Sequence, residues 1–169
     1  MPVPLEIGAV APEFLTCEGN WNTPVPARDQ NGNEISIKDF DGKCLVLIFL
    51  TEAREEIHRQ PTMKLLEMMK GFATKYKNAN VSLVAAGADE RGMMLELVKE
   101  AELNFPYIPL LDASPMGHEY NAYFGVTSAI TYAICDGKIH QSWDNNYPKD
   151  YDASHFEEVL SYIAANNLA

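Results

Sequence analysis

Two apolar runs stand out against the mixed polar and hydrophobic pattern of this chain. Cys44–Leu50 has no polar alternation at all, and Val81–Gly87 is interrupted only by Ser82. A strand with this pattern is typical of the middle of an α/β sheet, where both faces are covered. We therefore predict that both runs are central strands.

Three longer segments carry apolar residues at three- and four-residue spacing, the pattern of an amphipathic helix. The first runs from Glu52 to Tyr76. The second runs from Asp89, its predicted N-cap, to about Leu103, and the third opens at Ser154. Since strands and helices alternate, the central strands are expected to be parallel.

Two turns with glycine predict hairpins at either end of this alternation. One hairpin is predicted over Val25–Ile37 with an Asn31-Gly32 turn, and the other about Asp136-Gly137, dipeptides that tolerate the positive φ of tight turns. The second hairpin joins Thr131–Cys135 to Lys138–Trp143. Shorter predicted elements are strands at Glu13–Cys17 and Tyr107–Leu111 and a helix at Ser114–Phe124.

Length and charge narrow the class of protein. A chain of 169 residues suits one domain, so a single domain over residues 1–169 is expected. The net charge of −11 predicts a soluble, acidic protein that binds neither nucleic acid nor anionic membrane surfaces. No apolar run reaches membrane-spanning length, and the N-terminus lacks a secretory pattern, so we expect no membrane insertion and a cytoplasmic location.

Residues that could hold a metal or cofactor show no organised pattern. Three widely spaced cysteines do not resemble a disulfide framework, and the four histidines lack metal-ligand spacing. The methionines at helical spacing are better explained by core packing than by soft-metal binding. No glycine-rich phosphate loop is present, so the sequence predicts neither a metal nor a cofactor.

Several short segments, in their order along the chain, resemble the redoxin branch of the thioredoxin superfamily, which includes peroxiredoxin-like proteins and thiol–disulfide reductases. The resemblance implies an α/β fold: a thioredoxin-like three-layer sandwich with a central mixed sheet and an N-terminal β-hairpin extension. It rests on Ile7–Phe14, Asn31–Lys43, Phe105–Asp112, Tyr123–Thr127 and Asp136–Ile139.

The cysteines that this family uses are missing from the start of the first long helix. Reductases of the family have Cys-x-x-Cys there, with a proline five residues later. Counting back from Pro61 puts the two positions at Ala53 and Glu56, and a one-residue shift puts them at Arg54 and Ile57. The peroxiredoxin pattern keeps one cysteine beside threonine and arginine. Thr51 and Arg54 are present without it, and the motif region reads Ala53, Arg54, Glu55 and Glu56.

The second departure is the family's cis-proline, whose place falls on Ile130. A cis bond before isoleucine would cost about 3–4 kcal/mol, so we predict a trans Ala129–Ile130 peptide. The loop carrying this residue faces the redox motif in the family. The candidate binding pole therefore consists of Thr51, Glu52, Ser128, Ala129, Ile130 and Thr131.

The acidic residues at the helix start need no catalytic role. Glu52, Glu55 and Glu56 suit the first turn of a helix electrostatically, and His58 and Arg59 could form ion pairs with them. No serine or histidine partner for acid–base chemistry is evident nearby.

The implied fold makes the strands of Cys44 and Cys135 antiparallel neighbours, at the pole away from the usual redox site. A disulfide between them is geometrically conceivable, but we expect two buried thiols that behave as small hydrophobes. Cys17 lies early in the chain, where an exposed, reactive thiol is an alternative that no other feature of the sequence supports.

Three functions follow as hypotheses. The leading one is a binding module for a protein, peptide or small-molecule ligand, without conventional cysteine catalysis. The second is a thiol oxidoreductase or peroxidase that uses a displaced cysteine, Cys17, Cys44 or Cys135. The third is a structural subunit whose pole is an assembly interface.

Overall fold

A five-stranded mixed sheet forms the centre of the computed structural model, which describes residues 3–17, 23–50, 56–77, 79–110, 115–122, 128–146 and 153–168. The strand order is β5-β4-β3-β6-β7. β3 pairs in parallel with β4, and β4 with β5, whereas β6 is antiparallel to both β3 and β7. The strands are β3 Cys44–Leu50, β4 Val81–Gly87, β5 Tyr107–Pro109, β6 Ser128–Cys135 and β7 Lys138–Asn146.

The helices return the chain between these strands. They are α1 Glu56–Lys75, α2 Arg91–Ala101, α3 Pro115–Glu119 and α4 Ala153–Ala165. The connections β3-α1-β4 and β4-α2-β5 both step in the same direction across the sheet. Right-handed crossovers therefore put α1 and α2 on the same face. The parallel central strands and the fold predicted from the sequence are confirmed.

Side chains of β3 alternate between two cores, one on each face of the sheet. Val46, Ile48 and Leu50 pack with α1, α2 and α4 on the first face. Leu45, Leu47 and Phe49 pack with α3 and the N-terminal segment on the second face. All seven residues of β3 are buried, as expected for a strand covered on both sides.

The N-terminal part covers the second face with little regular structure. Strand β1, Leu15–Thr16, pairs with β2, Val25–Pro26, and a 3₁₀ turn covers Ile37–Phe40. The predicted hairpin over Val25–Ile37 reduces to an isolated Arg28–Glu34 bridge around a turn. Gly32, with φ of +78°, closes that turn through a hydrogen bond to Asp29.

Backbone pairing fixes residues 8–11 along the edge of β7. The amides of Gly8 and Ala11 donate to the carbonyls of Ile139 and Gly137, and the amide of Ile139 donates to Ala9. Two buried tyrosines form hydrogen bonds to the backbone on either side of these residues. The hydroxyl of Tyr120 donates to the carbonyl of Pro12, and the amide of Leu5 donates to the hydroxyl of Tyr132.

Some helix starts differ from the predicted ones. The N-cap of α2 is Glu90 rather than Asp89, and it makes no side-chain capping bond. Asp89 is buried instead, at 3% exposure. The final helix begins at Ala153, so Ser154 lies inside its first turn rather than before it. Both predictions were wrong by one or two residues, because local capping preferences are weaker than the packing that positions a helix.

The two ends of the sheet differ in which strands start and finish there. We call the end where β3 and β4 finish, at Leu50 and Gly87, the upper pole. The opposite end, where β3 starts at Cys44 and β6 finishes at Cys135, is the lower pole. The carboxyl ends of the parallel strands lie at the upper pole, which is where α/β folds usually carry their sites.

Candidate functional site

The start of α1 and the start of β6 lie at the same end of the sheet. β3 ends at Leu50 and α1 begins at Glu56, while Thr131 of β6 pairs with Ile48 of β3. The upper pole is therefore where the sequence predicted that the motif region and the Ile130 loop meet. Thr51, Glu52, Ala53, Arg54 and Glu55 lie outside the described residues, and Glu56 is described by its helical backbone alone.

Residues 128–131 form the first half of β6 rather than an open loop. Ser128 and Ala129 pair with Asn146 and Asn145 of β7. Ile130 and Thr131 are fully buried, and Ile130 packs in the core of the second face. The side chain at the proline position is thus a core residue. The trans Ala129–Ile130 peptide stays a prediction.

Three helices direct their N-terminal ends toward the upper pole. α1 follows β3, α2 follows β4 and α4 follows β7, and these strands all finish at that pole. Unpaired amides and the helix dipole make such ends positive, which stabilises a thiolate. No cysteine occurs between residues 45 and 134, so that part of the chain supplies no thiol that could use this field.

At the lower pole, Cys44 and Cys135 form a disulfide, which corrects the expectation of two separate thiols. The two residues are directly opposite in the β3–β6 ladder, with Cα atoms 4.3 Å apart. The amide of Cys44 donates to the carbonyl of Asn80, on the other side of the strand. The pair is therefore of the non-hydrogen-bonded type, in which opposing side chains come closest.

The two bridged sulfur atoms lie far from the start of α1. Cys44 lies six residues before Leu50 along β3, which is roughly 20 Å of extended strand. Cys17 is buried at 7% exposure beside β1, so the alternative of an exposed thiol there is wrong. Burial follows from its position under the second face, where β1 packs close to α3.

Comparisons with known proteins agree with this architecture. The chain is 29% identical over 162 residues to the thiol-disulfide oxidoreductase ResA of Bacillus thuringiensis subspecies konkukian, covering 94% of this chain and 79% of the relative. ResA of Bacillus cereus gives the same figures. No family model matches the chain.

Solved structures give the same result at lower identity. Peroxidoxin BcpB from Mycobacterium tuberculosis superposes with a TM-score of 0.74 at 15% identity, covering 95% of this chain and 97% of that chain. PrxQ from Xylella fastidiosa gives 0.75 at 15% identity, with 98% and 99% covered. The protein has a thioredoxin-like fold of the redoxin type.

The scaffold is stabilised by a partly buried carboxylate, Glu13, that sequence reasoning missed. Glu13 accepts hydrogen bonds from the amides of Phe14 and Ile37 at 2.7 and 3.0 Å and from the hydroxyl of Ser36 at 3.0 Å. Burial alone would raise the pKa of Glu13, but these hydrogen bonds outweigh it and lower the pKa below its ordinary value. A Ser-x-x-Asp capping pattern at Ser36–Asp39 was the available signal.

Arg59 forms an ion pair with a neighbouring helix, whereas the glutamates predicted to pair with it and with His58 lie outside the described side chains. Arg59 pairs with Glu100 of α2 at 2.6 Å and contacts the sulfur of Met93 at 3.6 Å. Both side chains are partly exposed, so the pair contributes little to stability. The location of the pair is more informative than its energy, because the pair joins the first turn of α1 to α2.

Two of the cavities that described residues line contain no residue of β6 or of the start of α1. One of about 350 Å³ lies around Glu13, Pro26 and Ser36. The other, of about 310 Å³, lies at the lower pole between the end of α1 and the start of β4.

Nothing in the described ranges groups three or more metal-binding side chains. Among the same residues, no helix is long and apolar enough to cross a membrane. The methionines of α1 and α2 that are buried, Met69 and Met94, lie in the core of the first face, as predicted.

Proposed function

We propose that this protein works by binding a protein, peptide or small-molecule ligand at the upper pole, without conventional thiol catalysis there. The state of its three cysteines supports the proposal. Cys44 and Cys135 are joined to each other at the lower pole, and Cys17 is buried. Thiol exchange needs a thiolate that can reach its substrate, and the upper pole has no described candidate for it.

The electrostatics of the lower pole argue against the alternative of a displaced catalytic cysteine. α1 ends at Lys75 and α4 ends at Ala165, both at the lower pole, as the contact of Tyr162 with His140 illustrates for α4. The negative ends of helices disfavour a thiolate. A cysteine at the lower pole therefore lacks the positive helix ends that would stabilise its thiolate at the upper pole.

The third hypothesis, a structural subunit, requires a large exposed apolar patch. Four large apolar side chains of the described residues are exposed: Val3, Ile7, Val10 and Leu95. The first three belong to the segment that covers the second face, and Leu95 belongs to α2 on the first face. An apolar assembly interface built from these side chains would therefore be limited to the three residues of the N-terminal segment.

Insulin reduction and peroxide consumption test the proposal directly. We expect the full chain, either oxidised or pre-reduced, to turn over neither substrate above the protein-free background. Turnover that disappears in Cys17→Ala, Cys44→Ala or Cys135→Ala would contradict the proposal and support a displaced cysteine.

Amide chemical-shift mapping locates the binding surface. With a set of short peptides and small-molecule fragments as probes, we expect perturbations at Gly87, Ile130 and Thr131. The amides of Cys44 and Lys138 serve as internal controls at the lower pole. Perturbations confined to those two would place the binding surface at the wrong end and overturn the assignment.

A further inference from the structure

We propose that Cys44 and Cys135 are a client pair for thiol oxidation: an external disulfide oxidant joins them into a structural staple, and the protein works in a compartment that oxidises thiols. This pair lies outside the upper pole, so the inference does not depend on the proposed binding function.

The position of the bridge in the sheet is that of a staple. Cys44–Cys135 is the last pair of the β3–β6 ladder, beyond which β6 turns at Asp136 toward β7. The end of a ladder is where pairing opens first. A covalent bond at this position holds together the two strands that connect the parallel and antiparallel halves of the sheet.

The bridge also closes a long stretch of chain. The two cysteines are 91 residues apart in sequence, and α1, β4, α2, β5 and α3 all lie between them. Constraining so long a loop in the unfolded chain strongly favours the folded state. The remaining cysteine, Cys17, lies outside this loop.

The fold prepares the bond without preparing a reactive thiolate. Register alone puts the two side chains on the same face with Cα atoms 4.3 Å apart, at the short limit of the distances that disulfides span. Cys44 is 8% exposed, which limits attack on its sulfur, whereas Cys135 is only partly buried and is the sulfur that an external reagent reaches more easily. Lys138 lies opposite Cys135 in β7, but it is exposed, so water screens its charge.

The chemistry requires a named partner class. The two thiols together lose two protons and two electrons as the sulfur–sulfur bond forms. A disulfide oxidant accepts both, first as a mixed disulfide on one cysteine, and leaves as two thiols when the other cysteine attacks. Reducing cytosol keeps such pairs as thiols, so a stable bridge requires an oxidising compartment instead of the cytoplasm expected from the sequence.

Thermal unfolding of the full chain, oxidised with oxidised glutathione or reduced with dithiothreitol, tests the staple. We expect reduction to lower Tm by about 10 °C or more. Dithiothreitol should have no such effect on the Cys44→Ala/Cys135→Ala variant, while Cys17→Ala should keep the full redox dependence. A Tm difference under about 2 °C in the wild-type chain would overturn the staple.

Alkylation with a mass tag provides a second readout that does not require the variant to fold. On wild-type protein we expect one tag after oxidation under denaturing quench and three after full reduction. The bridge should resist dithiothreitol under native conditions for far longer than in denaturant. Three tags after oxidation, or complete reduction of the native protein within minutes, would overturn the proposal.

The same tag tests the compartment. The chain is produced in bacteria with and without an export signal, and cells are quenched in acid before tagging. We expect the bridged form in the exported sample and three thiols in the cytosolic one. A fully reduced exported sample would contradict the inferred location, whatever the outcome of the insulin and peroxide assays.

Discussion

The two poles of this redoxin fold differ in the sign of the helix ends that lie there and in the presence of the Cys44–Cys135 bridge. The upper pole collects the positive ends of α1, α2 and α4, and the chain between residues 45 and 134 contributes no cysteine to it. The lower pole collects the negative ends of α1 and α4, together with Cys44 and Cys135. The cysteine pair thus lies where the scaffold stabilises a covalent bridge rather than a thiolate.

The contrast between the poles concerns two properties that the thioredoxin fold usually combines, its packed scaffold and its thiol chemistry. The scaffold persists through a core on each face of the sheet, which needs no redox chemistry. Fold and function are therefore independent here, and function must be argued from the site.

Removing the lower-pole bridge should have the largest effect on stability. We expect Cys44→Ala/Cys135→Ala to lower the free energy of unfolding by about 4–5 kcal/mol, because a loop closed over 91 residues loses its constraint. Urea denaturation under oxidising conditions measures it. A loss below about 1 kcal/mol would mean that the bridge does not stabilise the fold.

At the upper pole, Gly87 should be intolerant of a side chain. A Cβ at this position would overlap the hydroxyl of Tyr107, which is fully buried. We expect Gly87→Ala to cost about 1–3 kcal/mol through overpacking. Circular dichroism during urea titration measures the change.

A matched control for this substitution lies in α1. A Cβ added at Gly71 meets no atom within 4 Å. Gly71→Ala should therefore stabilise the protein by up to about 1 kcal/mol through helix propensity. Losses of equal size at both glycines would show that Tyr107 does not cause the intolerance at Gly87.

Glu13 should give the protein an acid sensitivity that is independent of the bridge. Its pKa is lowered in the folded state from an ordinary value of 4.5, so its contribution is complete above that pH and is lost as pH falls through the folded pKa. Glu13→Gln should cost about 1–2 kcal/mol at pH 7 and flatten the decline of stability in acid.

Additivity with the bridge checks this independence. Glu13 bonds to Ser36 and Ile37, whereas the bridge joins β3 to β6. The cost of Glu13→Gln should agree within about 0.5 kcal/mol in oxidised and reduced protein. A larger difference would show that the N-terminal segment and the lower pole are coupled.

The smallest effect is expected for the ion pair that joins α1 to α2. Glu100→Gln should cost less than about 0.5 kcal/mol, since Arg59 and Glu100 are both partly exposed. Thermal unfolding at low and high salt measures it. A loss above 2 kcal/mol would mean that this pair, rather than the hydrophobic core, fixes the start of α1.

Much of the fold could be predicted from hydrophobic patterning. The bounds of β3 and β4 were predicted to the residue, because uninterrupted apolar runs bounded by polar residues have few alternatives. The turn at Asp136-Gly137 was also predicted, and both residues adopt the positive φ that this dipeptide tolerates. Helix starts were less predictable, as Glu90 and Ala153 illustrate.

The cysteine pair illustrates what a sequence leaves open. The implied topology brought Cys44 next to Cys135, yet the choice between thiols and a disulfide depends on the exact strand register. Register comes from the packing of both faces, which no local pattern reports. The Glu13 network was missed for the same reason, because residues 23 or 24 positions apart supply its partners.

The most direct test of the account is turnover by the full chain with its lower-pole disulfide intact. Insulin reduction and peroxide consumption are measured on oxidised protein, with Cys17→Ala as a variant that leaves the bridge in place. The account predicts rates equal to the protein-free background for both proteins. Turnover that requires Cys17, Cys44 or Cys135 would contradict it.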